Sequence, residues 1–173
     1  MKKVFSIVAS AILFTTVVTM SSCKKEEEET QKNVVQIAQG DSNFSILVQA
    51  LTRADLTTKY ATVLSGTGPF TVFAPTNAAF TAFLTERGFA TLNDIPVVTL
   101  EAVLNYHVVS GKVLSSSLTE GQVVTTLGSS KFTVSLVGGA KITDAKGRKS
   151  NITTVDIQGS NGVIHAIDKV LLP

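Results

Sequence analysis

Apart from one short strand-like run, the spacing of apolar residues is helical up to Ser110-Gly111 and alternates after it, and that change restricts the folds open to this chain. Before the change the pattern is helical. Phe44, Leu47, Val48 and Leu51 recur on one helical face behind Asp41-Ser42, residue types that cap helix N-termini. Asp55 is expected to cap a second helix carrying Leu56, Tyr60 and Val63 or Leu64. Ser65 to Pro69 reads as a loop, and Phe70 to Ala74 as a short strand stopped by Pro75. Thr76 then caps a helix with Ala79, Phe80, Phe83 and Leu84 inward, which Gly88 ends. A further helix is expected from Thr99 through Leu100, Val103, Leu104 and His107. After Ser110-Gly111 the period is two. Val123 to Leu127 reads as a strand, and Phe132, Val134 and Leu136 alternate with polar residues. Gly138-Gly139 and Lys146-Gly147 are turns around Lys141-Ile142-Thr143, and Asn151 to Val155 is a further strand. Asn161-Gly162 marks a hairpin, expected to use positive φ, before the apolar run from Val163 to Leu172. Helices followed by strands predict an α+β domain with a sandwich or partly closed sheet.

The amino end has a different character. Lys2 and Lys3 precede Val4 to Val18, a stretch without charge that is shorter than the about 20 apolar residues a helical span needs. A positive head, a short apolar run and then small residues describe a cleaved export signal, here residues 1–22. Cys23 is the single cysteine, so no intramolecular disulfide can form. Met20-Ser21-Ser22-Cys23 resembles a lipobox, with Met20 in place of the usual Leu, which makes Cys23 the expected lipidation site. Several acyl chains on one cysteine would anchor stably where one holds only marginally. Lys24 to Lys32 has no apolar residue and predicts a solvated tether over residues 23–32. Lysine followed by Glu26 to Glu29 also resembles the surface-export signal of Bacteroidetes lipoproteins, which implies an outer-membrane lipoprotein at the cell surface, with the periplasmic face as the alternative.

Of the 15 basic side chains, Lys2 and Lys3 leave with the signal, and the remainder balance the 13 acidic ones. Arg53, Arg87 and Arg148 are scattered, so no basic stripe points to nucleic acid. Residues 33–173 suit one domain by length.

Three stretches resemble the motifs of the fasciclin domain. Thr71 to Phe80 (TVFAPTNAAF) resembles its first signature, Asn105 to Gly111 (NYHVVSG) its Tyr-His motif, and Asn161 to Pro173 (NGVIHAIDKVLLP) its second signature. They occur in family order, and the resemblance covers about residues 33–173; Ser110 stands where many members have Pro. The resemblance implies a wedge-shaped seven-stranded β-sandwich flanked by α-helices, and a role in adhesion or extracellular binding of protein or polysaccharide. In some animal members the Tyr-His region contacts integrins, which would carry binding to Asn105, Tyr106 and His107. The residues also have a structural reading. Pro75 ends a strand and Thr76 caps the helix that follows. In the last strand Val163, His165 and Ile167 face one way, and Ile164, Ala166 and Asp168 the other. Buried polar groups must be paired, so Asn77, His107, His165 and Asp168 are expected to be supports within the core.

No catalytic or cofactor motif is present. H-E-x-x-H, G-x-S-x-G and the P-loop are missing. Gly138-Gly139 is a turn, Asp144 to Gly147 lacks calcium-loop spacing, and Asn151-Ile152-Thr153 is read as strand rather than as a glycosylation site. The expectation is a binding protein without metal or cofactor, with His107 and His165 apart or buried. The alternative is a hydrolase or transferase whose site assembles from distant His and Asp residues.

Overall fold

The computed structural model describes residues 31–173; Cys23 and the charged run of the tether lie outside them. Asn33 opens the domain by capping α1 (Val34–Gly40). Its side chain accepts from the Gln36 N–H while the Gln36 side chain accepts from the Asn33 N–H. Asp41 accepts from the Asn43 N–H and turns the chain into α2 (Ser45–Thr52). The second helix expected from Asp55 is shorter than its apolar spacing suggests. α3 spans Tyr60–Leu64, because the Asp55 carboxylate is taken by Arg53 in a two-point pair at 2.8 and 2.7 Å instead of capping a helix.

β1 (Phe70–Pro75) leads into α4 (Asn77–Arg87). The Thr76 hydroxyl accepts from the Ala79 N–H, and Gly88 closes α4 at φ 71°, a left-handed position that glycine adopts without strain. α5 (Val97–Tyr106) begins two residues earlier than its apolar pattern, directly behind Pro96. The remaining strands are β2 (Val108–Ser110), β3 (Val123–Thr125), β4 (Lys131–Ser135), β5 (Lys141–Thr143), β6 (Lys149–Gly159) and β7 (Gly162–Ile167). Leu136 falls beyond β4 and is exposed, while Phe132 and Val134 are buried.

The strand order is β2-β1-β7-β6-β5-β4-β3, with β1 and β7 parallel and every other pair antiparallel. β6 belongs to both halves. Its first residues pair with β5, and Ile152 to Gly159 pair with β7 through two register shifts. Those bulges bend the strand and let it pass from one layer to the other. Past β3 the Leu127 N–H donates to the Val108 carbonyl at 2.7 Å, so the seven strands nearly close. This is the expected α+β sandwich with a partly closed sheet.

β7 is buried along its whole length because each face meets a different core. Ile164 and Ala166 face the helices with Phe44, Leu47, Phe80 and Leu104. Val163, His165 and Ile167 point the other way, and Ile167 joins Phe73, Phe132, Val134 and Ile142 between the sheet layers. There the Phe73 and Phe132 rings meet edge to face at 5.1 Å, a favoured aromatic geometry.

The hairpin before β7 corrects one expectation. Neither Asn161 nor Gly162 has positive φ. Gly162 is required for space: a Cβ there would lie 2.2 Å from the Phe70 carbonyl oxygen, where β1 runs alongside. Asn161 serves as a clasp. Its side-chain oxygen accepts from the Val34 N–H, and its amide donates to the carbonyls of Leu64 and Gly66.

Candidate functional site

The last turn of α5 places the Tyr-His motif where helices and sheet meet. Tyr106 is buried, and its hydroxyl donates to the Lys131 carbonyl at 2.7 Å and accepts from the Ala145 N–H at 3.0 Å. Burial pushes its phenol pKa up. His107 is also buried. Val103 offers its ring a carbonyl at 2.7 Å from Nδ1, so Nδ1 carries the proton; Nε2 accepts from the Leu171 N–H at 3.0 Å. Burial lowers its pKa to about 4, against smaller opposing effects from the Val103 carbonyl and Asp144. The ring is neutral at physiological pH and ties α5 to the segment after β7. Of the three motif residues, only Asn105 reaches the surface. It lines a hollow of about 330 Å³ with Glu101, Ala102, Gly128 and Ser130.

His165, on β7, has no exposed surface and carries the opposite tautomer. Its Nδ1 accepts from the Asp156 N–H at 3.2 Å, so Nε2 donates to the Val113 carbonyl at 2.9 Å. The ring stacks on Phe73 with centroids 5.3 Å apart. Asp156 sits in β6 at φ 57°, a left-handed conformation that aspartate tolerates better than most residues. Its carboxylate accepts from the Ser115 backbone N–H and hydroxyl, which holds its pKa below the usual range. The two histidines therefore share no partner: one closes onto Val103 and Leu171, the other onto Val113 and Asp156.

Asp168 receives the Asn151 N–H at 2.8 Å, the Asn151 side-chain amide at 2.6 Å and the Ser150 hydroxyl at 3.1 Å. Burial works to raise its pKa, but these donors outweigh it and the carboxyl titrates below its ordinary value. Asn77 joins two helix starts. Its side-chain oxygen accepts from the Ile46 N–H, and its amide donates to the Ser42 carbonyl and the Ser45 hydroxyl. Thr76, Asn77, His165 and Asp168 thus have their polar atoms turned to the chain itself.

Asp144 and Arg148, in the sequence only part of a turn and one of three scattered arginines, are polar supports in the fold. The Asp144 side chain is fully buried. One of its oxygens accepts from the N–H groups of Lys146 and Arg148, and the other from the Leu172 N–H. Arg148 donates to Glu86 at 3.0 Å and to the Val170 carbonyl at 2.7 Å. Asp-x-x-Gly at Asp144 to Gly147 carried a local signal, the side-chain-to-backbone turn that aspartate favours. The partnership with Leu172 carried none.

Among the described residues, no group of three His, Cys, Asp or Glu side chains is placed to hold a metal ion. The surface beside these buried networks consists of shallow grooves. One of about 520 Å³ runs between the end of α4, the outer face of α5 and the carboxyl end, lined by Phe89, Pro96, Val98, Ala102 and Leu172 with Arg87 and Lys146. Another, of about 290 Å³, lies between α4 and the end of β6 and includes Arg148, Lys149 and Lys169.

The fasciclin domain family matches residues 42–173. The Synechocystis sp. protein sll1483 is 37% identical over 145 residues, which covers 84% of this chain and 76% of that protein. Its Synechocystis companion sll1735 is 36% identical over 140 residues, 81% of this chain and 97% of that protein. Transforming growth factor-beta-induced protein ig-h3 of Sus scrofa is 35% identical over 141 residues, again 81% of this chain but 19% of that much longer protein. Among solved structures, a FAS1 domain pair from the insect cell adhesion molecule Fasciclin I superposes with a TM-score of 0.65. That match has 17% identity, covers 82% of this chain and 51% of the pair, and speaks for the fold. Fold, motif placement and sequence identity over most of the chain agree: this protein belongs to the fasciclin domain family.

Proposed function

We propose that this chain is a membrane-anchored, surface-exposed lipoprotein, held by lipid on Cys23, whose fasciclin domain acts in adhesion or in binding an extracellular protein or polysaccharide. The observation that carries the reading is how the two histidines are used. His107 and His165 are buried, and each ring nitrogen has a backbone partner. A general base must be within reach of a substrate proton, and neither ring offers a free nitrogen to a cleft. The hydrolase or transferase alternative therefore lacks its strongest candidates for acid–base work, whereas a binding module needs only an exposed face. Membership of the fasciclin domain family, shared with ig-h3, supports the same direction.

Within this reading Tyr106 and His107 shape the Tyr-His corner from inside, and Asn105, Glu101 and Val98 are the motif-side residues a ligand could touch. The test is to delete the protein and measure cell attachment, alongside an assay of the purified chain on ester, glycoside and peptide substrates. Weakened attachment without turnover is expected; turnover with unchanged attachment would establish the enzyme instead.

A further inference from the structure

Five of the domain's cationic side chains, drawn from three separate segments of the sequence, meet at one end of the fold. Arg148, Lys149 and Lys169 line the groove between α4 and the end of β6, and Arg87 and Lys146 line the adjoining groove across Phe83. Glu86 is the one acidic side chain lining either groove, and it is paired with Arg148. Among the described residues, Arg87, Lys146, Lys149 and Lys169 have no carboxylate within ion-pair distance.

The end they occupy is set by the topology. The tether enters at the opposite end, where the Lys32 carbonyl accepts from the Ser160 N–H and the Val34 N–H donates to Asn161. From there β7 runs six residues, about 20 Å, before the chain reaches Asp168 and Lys169. α4 starts at that far end too, since the Thr76 N–H donates to the Ile167 carbonyl. A domain anchored through its tether holds these cations away from its own membrane. The chain's own Glu run is a poor occupant: Glu29 stands three residues before Lys32, a reach of at most about 10 Å.

The geometry points to a binding site for an acidic polysaccharide, carboxylated or sulfated, at this far end, with Lys149 and Lys169 contacting its anionic groups and Arg87 and Lys146 extending the track. This rests on the anchored binding-module reading and names its ligand class. Several features favour a hydrophilic polymer over other polyanions. The groove with three of the five cations has only Ala79, Ala82, Phe83 and Val170 for apolar lining, and Phe83 is buried, so this groove offers no pocket for the aromatic anchor on which protein partners usually rely. Among the described residues, the one aromatic ring beside the cations that reaches the surface is Phe89, half-buried against the core, whereas single-stranded nucleic acid binding stacks successive bases on a series of open rings. Lysines supply diffuse positive charge without the bidentate geometry of arginine clusters.

Glu86 gives the proposal a signed test. Its carboxylate competes with an incoming anion for Arg148, so Glu86→Gln should tighten binding while Lys149→Gln/Lys169→Gln weakens it. The full chain in nonionic detergent would be titrated with alginate and chondroitin sulfate, with neutral dextran, double-stranded DNA and phosphatidylglycerol vesicles as competing probes. At low salt the account expects binding to at least one acidic polysaccharide and none to dextran. It expects about fivefold to tenfold loss in the double-lysine variant and tightening in Glu86→Gln, with both effects shrinking as salt rises. Unchanged melting temperatures of these exposed variants would show that the fold is intact. Equal affinity of the double-lysine variant, or binding confined to DNA or to vesicles, would overturn the site. Binding to a neutral glycan or a protein that ignores all these substitutions would overturn it as well, yet leave the adhesion reading standing.

Discussion

His107 makes a sharp prediction about stability and pH. In the folded chain its pKa lies at about 4, against an ordinary value of 6.5, with burial the main cause. A folded pKa below the unfolded one means that the unfolded chain binds the proton more readily. The contribution is therefore fully present above the ordinary value and is lost as pH falls from there toward the folded value. The whole shift corresponds to about 3 kcal/mol. The hydrogen-bonded carboxylates of Asp156 and Asp168 have lowered pKa values and stay ionised through the upper part of that window. Between about pH 7.5 and about pH 5.5 the histidine should remove about 1 kcal/mol, or about 4 °C in melting temperature for a domain of this size. His107→Gln should be less stable at neutral pH, because the Val103 carbonyl or the Leu171 N–H loses its partner. It should also lose the part of the slope that belongs to His107. Urea unfolding of both proteins at several pH values provides the assay, and NMR titration of the ring provides a second one. Parallel stability curves, or a His107 resonance titrating near its ordinary value, would refute the argument.

Other outcomes follow from single contacts. Gly162→Ala should destabilise the domain by at least about 3 kcal/mol, because the new Cβ meets the Phe70 backbone and neither strand can move without breaking the ladder; wild-type stability in chemical denaturation would show that β1 can give way. Tyr106→Phe leaves the Lys131 carbonyl and Ala145 N–H without their partner and should lower stability by about 1–3 kcal/mol, with ligand binding retained once folded. Asn77→Ala should fall in the same range of about 1–3 kcal/mol, read as earlier exchange of the amide hydrogens at the start of α2. Cys23→Ala should move the protein from the detergent phase to soluble fractions or leave the signal uncut; a cleaved variant still held on membranes would remove the lipid anchor from the account.

Features decided by neighbouring residues were readable in the sequence. The cap at Thr76, the left-handed Gly88, the glycine turns at 138–139 and 147, and the two faces of β7 each follow from local spacing and residue type. What escaped was decided across the chain. α1 is seven residues long and its apolar face makes sense only against α2 and β7. β2 follows α5 with no turn signal and becomes a strand because β1 is there to pair with it. Asp55 has the right character for a cap but finds Arg53 first. Gly162 answers to the backbone of Phe70, and no local rule distinguishes that demand from a turn. The candidate site was legible as a set of polar residues, through the family motifs, but not as a set of pairings. The tautomers of His107 and His165 depend on Val103, Leu171, Val113 and Asp156, three of which lie on separate segments from the ring they hold. The cations at the far end were invisible for the same reason, since only folding brings Arg87 beside the turn that carries Lys146 and Arg148.

The central claim, an anchored domain that binds rather than catalyses, is tested most directly by comparing attachment of cells that lack the protein, carry it, or carry Cys23→Ala. The account predicts that attachment falls on deletion, returns with the anchored protein and does not return with the unanchored variant. Equal attachment in all three strains, above all if the purified chain turns over a substrate, would contradict it.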